Sequence, residues 1–261
     1  MTPPLSSLPD QSGVFVQGAS RGLGLAFVEL ALSNPKIARV LATSRDPQRS
    51  DGLQALKEEH GERLVLASLD VSDEESIAEV VEDFGKLDQP LHLVLNVAGV
   101  LHDESRQMMP EKRVEDLRPE NAVYSFRVNA LGPLLVARHA LELLAPGRSV
   151  IANLSARVGS ITDNGLGGWY SYRAAKAAQN MFTRTLSIEL GRYRKSHEAI
   201  CVALHPGTVK TELSAPFRKH VAEEKLFSPE RAARQLLGII DGLSKKDQGK
   251  FFAWNGEEIP F

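Results

Sequence analysis

A chain of 261 residues is long for one domain but ordinary for a single α/β sheet protein, and it can bury a substantial core. Its 43% hydrophobic and 25% charged content is that of a soluble globular protein, and a net charge of −2 suits neither a nucleic-acid nor a membrane surface. The single cysteine, Cys201, excludes an internal disulfide and fits a reducing, cytoplasmic setting. Cys201 lies in the apolar run 199–204, which reads as a buried thiol and not a nucleophile. Residues 1–12 are rich in Pro and Ser and lack a basic segment followed by an apolar one. They read as a flexible N-terminal tail, not a secretory signal. No apolar run reaches the length that spans a bilayer.

Residues 13–261 read as one domain. Short, nearly continuous apolar runs fall at 14–16, 40–43, 64–69, 91–95, 149–154 and 200–204, and 250–254 reads as a last edge strand. Such runs mark strands covered on both faces. Helical patterns lie between them near 23–33, 51–60, 74–86, 120–144, 171–191 and 229–242. The alternation predicts an α/β fold: a doubly wound, Rossmann-type parallel sheet of about seven strands with helices on both faces. The charged, non-periodic stretch 101–119 reads as a surface excursion.

The first strand runs into Gly18, Ala19, Ser20, Arg21, Gly22, Leu23 and Gly24, and then into a helix. Glycines there allow a tight turn, close approach of backbone to a pyrophosphate, and tight helix–strand packing. The pyrophosphate would sit at the helix N-terminus, where free N–H groups favour an anion. The second strand ends in Thr43, Ser44 and Arg45, a hydroxyl and a guanidinium where a carboxylate would grip ribose hydroxyls. Arg45, with Arg21 as a second positive charge, suits a 2′-phosphate and hence NADP(H), although Asp46 argues the other way. Asp70, followed by Val71, ends the third strand and could accept from the adenine amino group or cap the next helix. Asn96, Val97, Ala98 and Gly99 end the fourth, with small residues that let the backbone pass close to a cofactor.

Tyr172 and Lys176 stand one helical turn apart, downstream of Ser155. An ammonium beside a phenol favours the phenolate, which would bring proton exchange nearer neutral pH. A serine hydroxyl nearby could hold the oxygen of a reacting carbonyl.

This ordered series resembles the short-chain dehydrogenase/reductase family, in its single-domain branch, from the glycine loop to residue 261. Residues 110–112, 129–133, 155–160 and 256–261 further resemble the C-factor and sniffer-type carbonyl reductases within it. The resemblance implies that Tyr172 is the general acid, that Lys176 lowers its pKa and binds the nicotinamide ribose, and that Ser155 bonds the substrate oxygen. It implies that Asn129 holds a water in a proton relay. It implies that His205, Pro206, Gly207, Thr208 and Val209 border the nicotinamide, with Thr208, Val209 and Thr211 near its carboxamide. His205, ahead of Pro-Gly at a strand end, reads as structural. No metal is expected.

The chain departs from the family pattern at Gln17, at Val97, and in a longer gap between Ser155 and Tyr172. The first two put strand-end packing in question. The third adds the glycine-rich stretch 162–169, where Leu166 and Trp169 are expected to line the substrate pocket. The leading reading is an NADPH-dependent reductase of an aldehyde or ketone, a small-molecule carbonyl being its partner. A homodimer paired through the helices at 120–144 and 171–191 is compatible with it. The alternative is a C-factor-type signalling or sensor protein that binds the cofactor and turns over incidentally. An extended-branch epimerase shares the Tyr/Lys pair but needs more chain beyond 242 than is present.

Overall fold

The computed structural model describes residues 3–193 and 197–261. Its elements in chain order are β1 (Ser12–Gln17), α1 (Gly22–Leu32), β2 (Ile37–Ser44), α2 (Asp51–His60), β3 (Leu64–Ser68), α3 (Glu74–Gly85), β4 (Leu91–Asn96), α4 (Pro119–Phe126), α5 (Gly132–Ala140), β5 (Gly147–Leu154), α6 (Tyr170–Tyr193), β6 (His197–His205), β7 (Thr208–Val209), β8 (Leu226–Phe227), α7 (Pro229–Gly242) and β9 (Phe251–Ala253). Seven strands form one parallel sheet in the order β3-β2-β1-β4-β5-β6-β9. The order reverses between β1 and β4, and ligands bind at the strand carboxyl ends beside such a switch point.

Successive side chains of each strand face opposite layers, because the strand period is two. Val14, Val16, Leu93, Leu95, Val150 and Val202 join one core with Phe27 of α1, Leu53 of α2 and Leu236 of α7. Phe15, Leu41, Val94, Ile151 and Cys201 join the other with Phe84 of α3, Val136 of α5 and Leu190 of α6. Cys201 is buried, as its apolar setting implies, and burial pushes its thiol up to about 12.

The N-terminal stretch differs from the flexible tail expected of it. Leu5 and Leu8 are fully buried in the layer of α1 and α7. The backbone amides of Ser6 and Ser7 donate to the Asp241 carboxylate at 3.2 and 3.0 Å, and Asn34 Nδ2 donates to the carbonyls of Pro4 and Leu5. Two leucines in a Pro/Ser background are enough apolar surface to dock it. The helical pattern at 120–144 also divides. A widened π turn, Arg127–Leu131, separates α4 from α5, and a 3₁₀ turn, Leu141–Leu143, ends it. Pro133 has no amide to give the carbonyl of Asn129 four residues before it, so the regular ladder breaks there. Among the described residues no helix is long and apolar enough to cross a membrane.

Candidate active site

Five strand ends converge on one groove. Its floor beside β1 is shaped by glycine. Gly18 has a φ of 90°, and a Cβ there would lie 2.5 Å from the amide nitrogen of Ala98. A Cβ on Gly24 would lie 2.0 Å from the carbonyl oxygen of Gly18, so only glycine brings α1 this close to β1. The N-terminus of α1 has no side-chain cap and no acidic residue in its first turn. Those open amides suit a pyrophosphate. Leu23 is packed in the core behind them. The backbone of Ser20 is held from below, its carbonyl accepting from Ser50 Oγ at 2.6 Å. Ser50 also caps α2, a double duty that only the folded chain reveals.

At the end of β2 the hydroxyls of Thr43 and Ser44 are buried without a hydrogen-bond partner. Buried hydroxyls rarely stay unpartnered, so they fit a ligand's polar groups. Arg45 is exposed next to them. Asp46 pairs with Arg49 at 3.0 Å on the exposed surface. Arg21, offered by the sequence as a second positive charge, pairs with Glu212 Oε2 at 2.5 Å at the exposed rim. Asp70 Oδ1 accepts from the amide and hydroxyl of Ser72 at 2.8 and 2.7 Å, while Asp73 caps α3. Of the two roles left open for Asp70, the helix cap therefore falls away. Val71 lies below the groove, where a Cβ on Gly132 would meet its Cγ2 and carbonyl at 2.5 Å.

The end of β4 is tied in two ways. The amide of Ala98 donates to Gln17 Oε1 at 3.2 Å and that of Val97 to the Gln17 carbonyl at 2.9 Å, so Gln17 still joins the ends of β1 and β4. Asn96 is turned into the core, donating to Asn153 Oδ1 at 2.8 Å and to the Pro133 carbonyl at 3.3 Å. Gly99 faces Asn129, whose Oδ1 a Cβ at Gly99 would approach to 3.0 Å, with Lys176 Nζ at 3.9 Å. Asn129 sits in the π turn and exchanges two hydrogen bonds with the backbone of Val100, at 2.8 and 3.0 Å.

Ser155 follows β5, and Tyr172 and Lys176 lie on the buried face of the first turns of α6. The Ser155 hydroxyl donates to Asn180 Oδ1 at 2.7 Å. Lys176 Nζ donates to the Leu154 carbonyl at 2.7 Å and to Gln179 Oε1 at 2.9 Å, and lies 5.9 Å from the centre of the Tyr172 ring. Burial pushes the Lys176 ammonium down to about 7 and raises the Tyr172 phenol above its ordinary value. The lowered phenol expected of the pair is thus not a property of the protein alone, because desolvation outweighs an ammonium lying over the ring face. Tyr172 instead holds its proton at neutral pH, the form a general acid requires. Asn180 and Gln179 escaped the sequence reading. The signal was present, since residues 172, 176 and 180 share one helix face.

On the far side, Gly207 has a φ of 75°, and a Cβ there would lie 2.7 Å from the Phe227 ring. After Pro206 and Gly207, Thr208 and Val209 form β7, which pairs with β8 and was not foreseen. The Thr211 amide donates to the Val209 carbonyl at 2.8 Å, and a Cβ on Gly22 would touch Thr211 Cγ2 at 3.0 Å. The loop after β6 therefore meets the glycine loop across the groove. His205 keeps a buried, unpartnered Nδ1, and burial together with Arg157 pushes its pKa down to about 4, so it is neutral near pH 7. The substrate side is aromatic: the Trp169 ring packs 5.0 Å from Phe217 and 6.2 Å from Tyr172, and His102 lies 6.0 Å from Phe217. Leu166, expected beside Trp169, is 94% exposed and stands away from that wall.

A family profile described as short chain dehydrogenase matches residues 12–222. The NADPH-bound carbonyl reductase from chicken fatty liver superposes with a TM-score of 0.83 at 33% identity, covering 97% of this chain and all of that one. The carbonyl reductase Sniffer of D. melanogaster gives a TM-score of 0.82 at 27% identity, with the same coverage. The C-signal of Myxococcus xanthus is 37% identical over 52% of this chain and 76% of its own. With the glycine cradle, the switch-point groove and the Ser155, Tyr172 and Lys176 arrangement, the match over most of the chain makes this protein a member of the short-chain dehydrogenase family.

Proposed function

We propose that this protein reduces an aldehyde or ketone to the alcohol with NADPH. The observation that carries the reading is the position of Tyr172, buried and protonated, on the same helix face as Lys176 and beside the groove that α1 and β2 open. The nicotinamide, when bound, supplies the hydride that the carbonyl carbon takes. Tyr172 donates to the carbonyl oxygen, and the Ser155 hydroxyl, which donates to Asn180 Oδ1 in the free protein, turns to it as a second donor, which stabilises the charge that develops there. Tyr172 gives its proton to that oxygen. Lys176, adjacent to the phenol and to Asn129 at Gly99, stabilises the phenolate left behind and passes a proton back to it. Asn129 and the break at Pro133 offer polar backbone for a water on that return path. The unpartnered Ser44 hydroxyl and the exposed Arg45 would hold the 2′-phosphate.

The lone buried Cys201 supports a cytoplasmic setting, and exposed Val123, Phe126, Met181 and Ile188 of α4 and α6 offer the surface on which a second copy would pair. A signalling role, with turnover incidental, is favoured by the similarity to C-signal. A Tyr172→Phe protein that still supported such a role would select it. The coenzyme reading is tested by NADPH and NADH oxidation across aldehydes, ketones, quinones and dicarbonyls. Arg45→Ala should raise KM for NADPH by about tenfold or more, a lost charge-assisted contact, and leave KM for NADH unchanged. Equal effects on both coenzymes would remove Arg45 from phosphate recognition.

A further inference from the structure

Glu111 is a buried acid in an otherwise solvated segment. Its side chain is 6% exposed, whereas Met109 and Val114 beside it are each more than half exposed. A buried carboxylate needs strong partners. No Lys or Arg pairs with Glu111 among the described residues. Its oxygens are instead taken by one residue of the first turn of α6: Oε2 accepts from the Ser171 amide at 3.2 Å, and Oε1 accepts from the Ser171 hydroxyl. A carboxylate at that place also complements the helix dipole. The backbone of Glu111 adds a third contact, its carbonyl accepting from the Trp169 amide at 2.5 Å.

What Glu111 holds is the entry into the reaction centre. Gly167, Gly168 and Trp169 all have positive φ, the last at 53°. A tryptophan does not choose that backbone region freely and stays there only when its surroundings impose it. Two clamps do so. Arg173 reaches back from α6 to the carbonyls of Gly167 and Gly168, and Glu111 grips Trp169 and Ser171 from the opposite side. The residue after Ser171 is Tyr172, and the ring of Trp169 stands between Tyr172 and Phe217.

We propose that Glu111 is a positioning residue, which through Ser171 and Trp169 sets where Tyr172 and the aromatic wall stand relative to the reacting carbonyl. The inference rests on the carbonyl-reductase reading for its kinetic consequence. Segment 101–119 is then a brace for the catalytic helix. A plain helix cap would stabilise α6 without moving turnover at a temperature where the variant is folded. A brace that fixes the acid and one pocket wall acts on turnover directly, because an ångström of misplacement costs on the order of a hundredfold.

The experiment compares native protein with Glu111→Ala, Glu111→Gln and Ser171→Ala, by carbonyl reduction and by the emission of Trp169 in a Trp254→Phe background. Only two tryptophans are present, so that background isolates Trp169. Glu111→Ala should lower kcat/KM for the carbonyl by about tenfold or more with the dissociation constant for NADPH within about twofold, and Trp169 should shift to the red and quench more readily. Glu111→Gln, which can still accept from the Ser171 amide and donate to its hydroxyl, should stay within about threefold of native. Ser171→Ala, which removes a single hydroxyl, should fall between the two and serves if Glu111→Ala does not fold. Unchanged kcat/KM in folded Glu111→Ala, whether or not its melting temperature drops, overturns the proposal. So does an unchanged Trp169 emission. If native protein reduces no carbonyl, the functional reading falls, and Trp169 emission alone decides whether Glu111 holds the loop.

Discussion

Lys176 carries an ammonium in a place that strongly disfavours one. It is 3% exposed, and its two hydrogen-bond acceptors, the Leu154 carbonyl and Gln179 Oε1, are both neutral. Its pKa in the folded protein, about 7, is below its ordinary value of 10.5. Between those two pH values the unfolded chain binds more protons than the folded one, so stability from this group rises with pH across that window and is lost as pH falls toward 7. Replacing Lys176 by Met removes the buried charge. The melting temperature of Lys176→Met relative to native should therefore be more favourable at pH 6 than at pH 10, read by calorimetry at both. A difference independent of pH would show that the ammonium is not desolvated. The pair of Tyr172 and Lys176 was legible in the sequence because helix geometry is local. Phe217 and His102 were not, and Glu111 showed only as part of the motif 110–112 and not as a site residue, since each reaches the site from a distant segment by tertiary contact. Arg21 shows the converse: its charge was visible, but its choice of Glu212 depends on a loop far along the chain.

Element boundaries reflect the same division between local and tertiary causes. The inner strands of the large sheet were readable because they are buried on both faces and so nearly continuous in apolar residues, while the half-buried edge strand β3 was readable from its short apolar run alone. Strands β7 and β8 were not, because each has only two residues and exists by pairing with the other. The division of the helical pattern at 120–144 was written in Pro133, but the apolar periodicity runs through it and hides the break. That break brings Gly132 against Val71, where there is no space for a Cβ. Gly132→Ala should destabilise the protein by about 1–3 kcal/mol through overpacking, measured by urea denaturation. Stability within about 0.5 kcal/mol of native would mean that α5 can move off Val71, in the segment after β3, freely, contrary to the packing described.

For the whole molecule, one sheet with two helical layers brings the carboxyl ends of β1, β2, β4, β5 and β6 to a single groove, and the family match covers that architecture. Its margin extends beyond the sheet. Leu5 and Leu8 seal the layer of α1 and α7, and Leu5→Ala or Leu8→Ala should each cost about 2–5 kcal/mol in global unfolding. A loose tail would give no change for either. Composition could not reveal this docking, because the acceptors that hold the stretch, chiefly Asp241, lie at the other end of the chain. The central claim concerns proton transfer to a carbonyl oxygen at the heart of that groove. The most direct measurement is steady-state reduction of the best carbonyl substrate with NADPH by native protein and Tyr172→Phe, with coenzyme binding followed alongside. The account predicts that kcat falls by about a hundredfold or more while NADPH binds as before. Turnover of the same substrate at an undiminished rate by a coenzyme-bound Tyr172→Phe would contradict it.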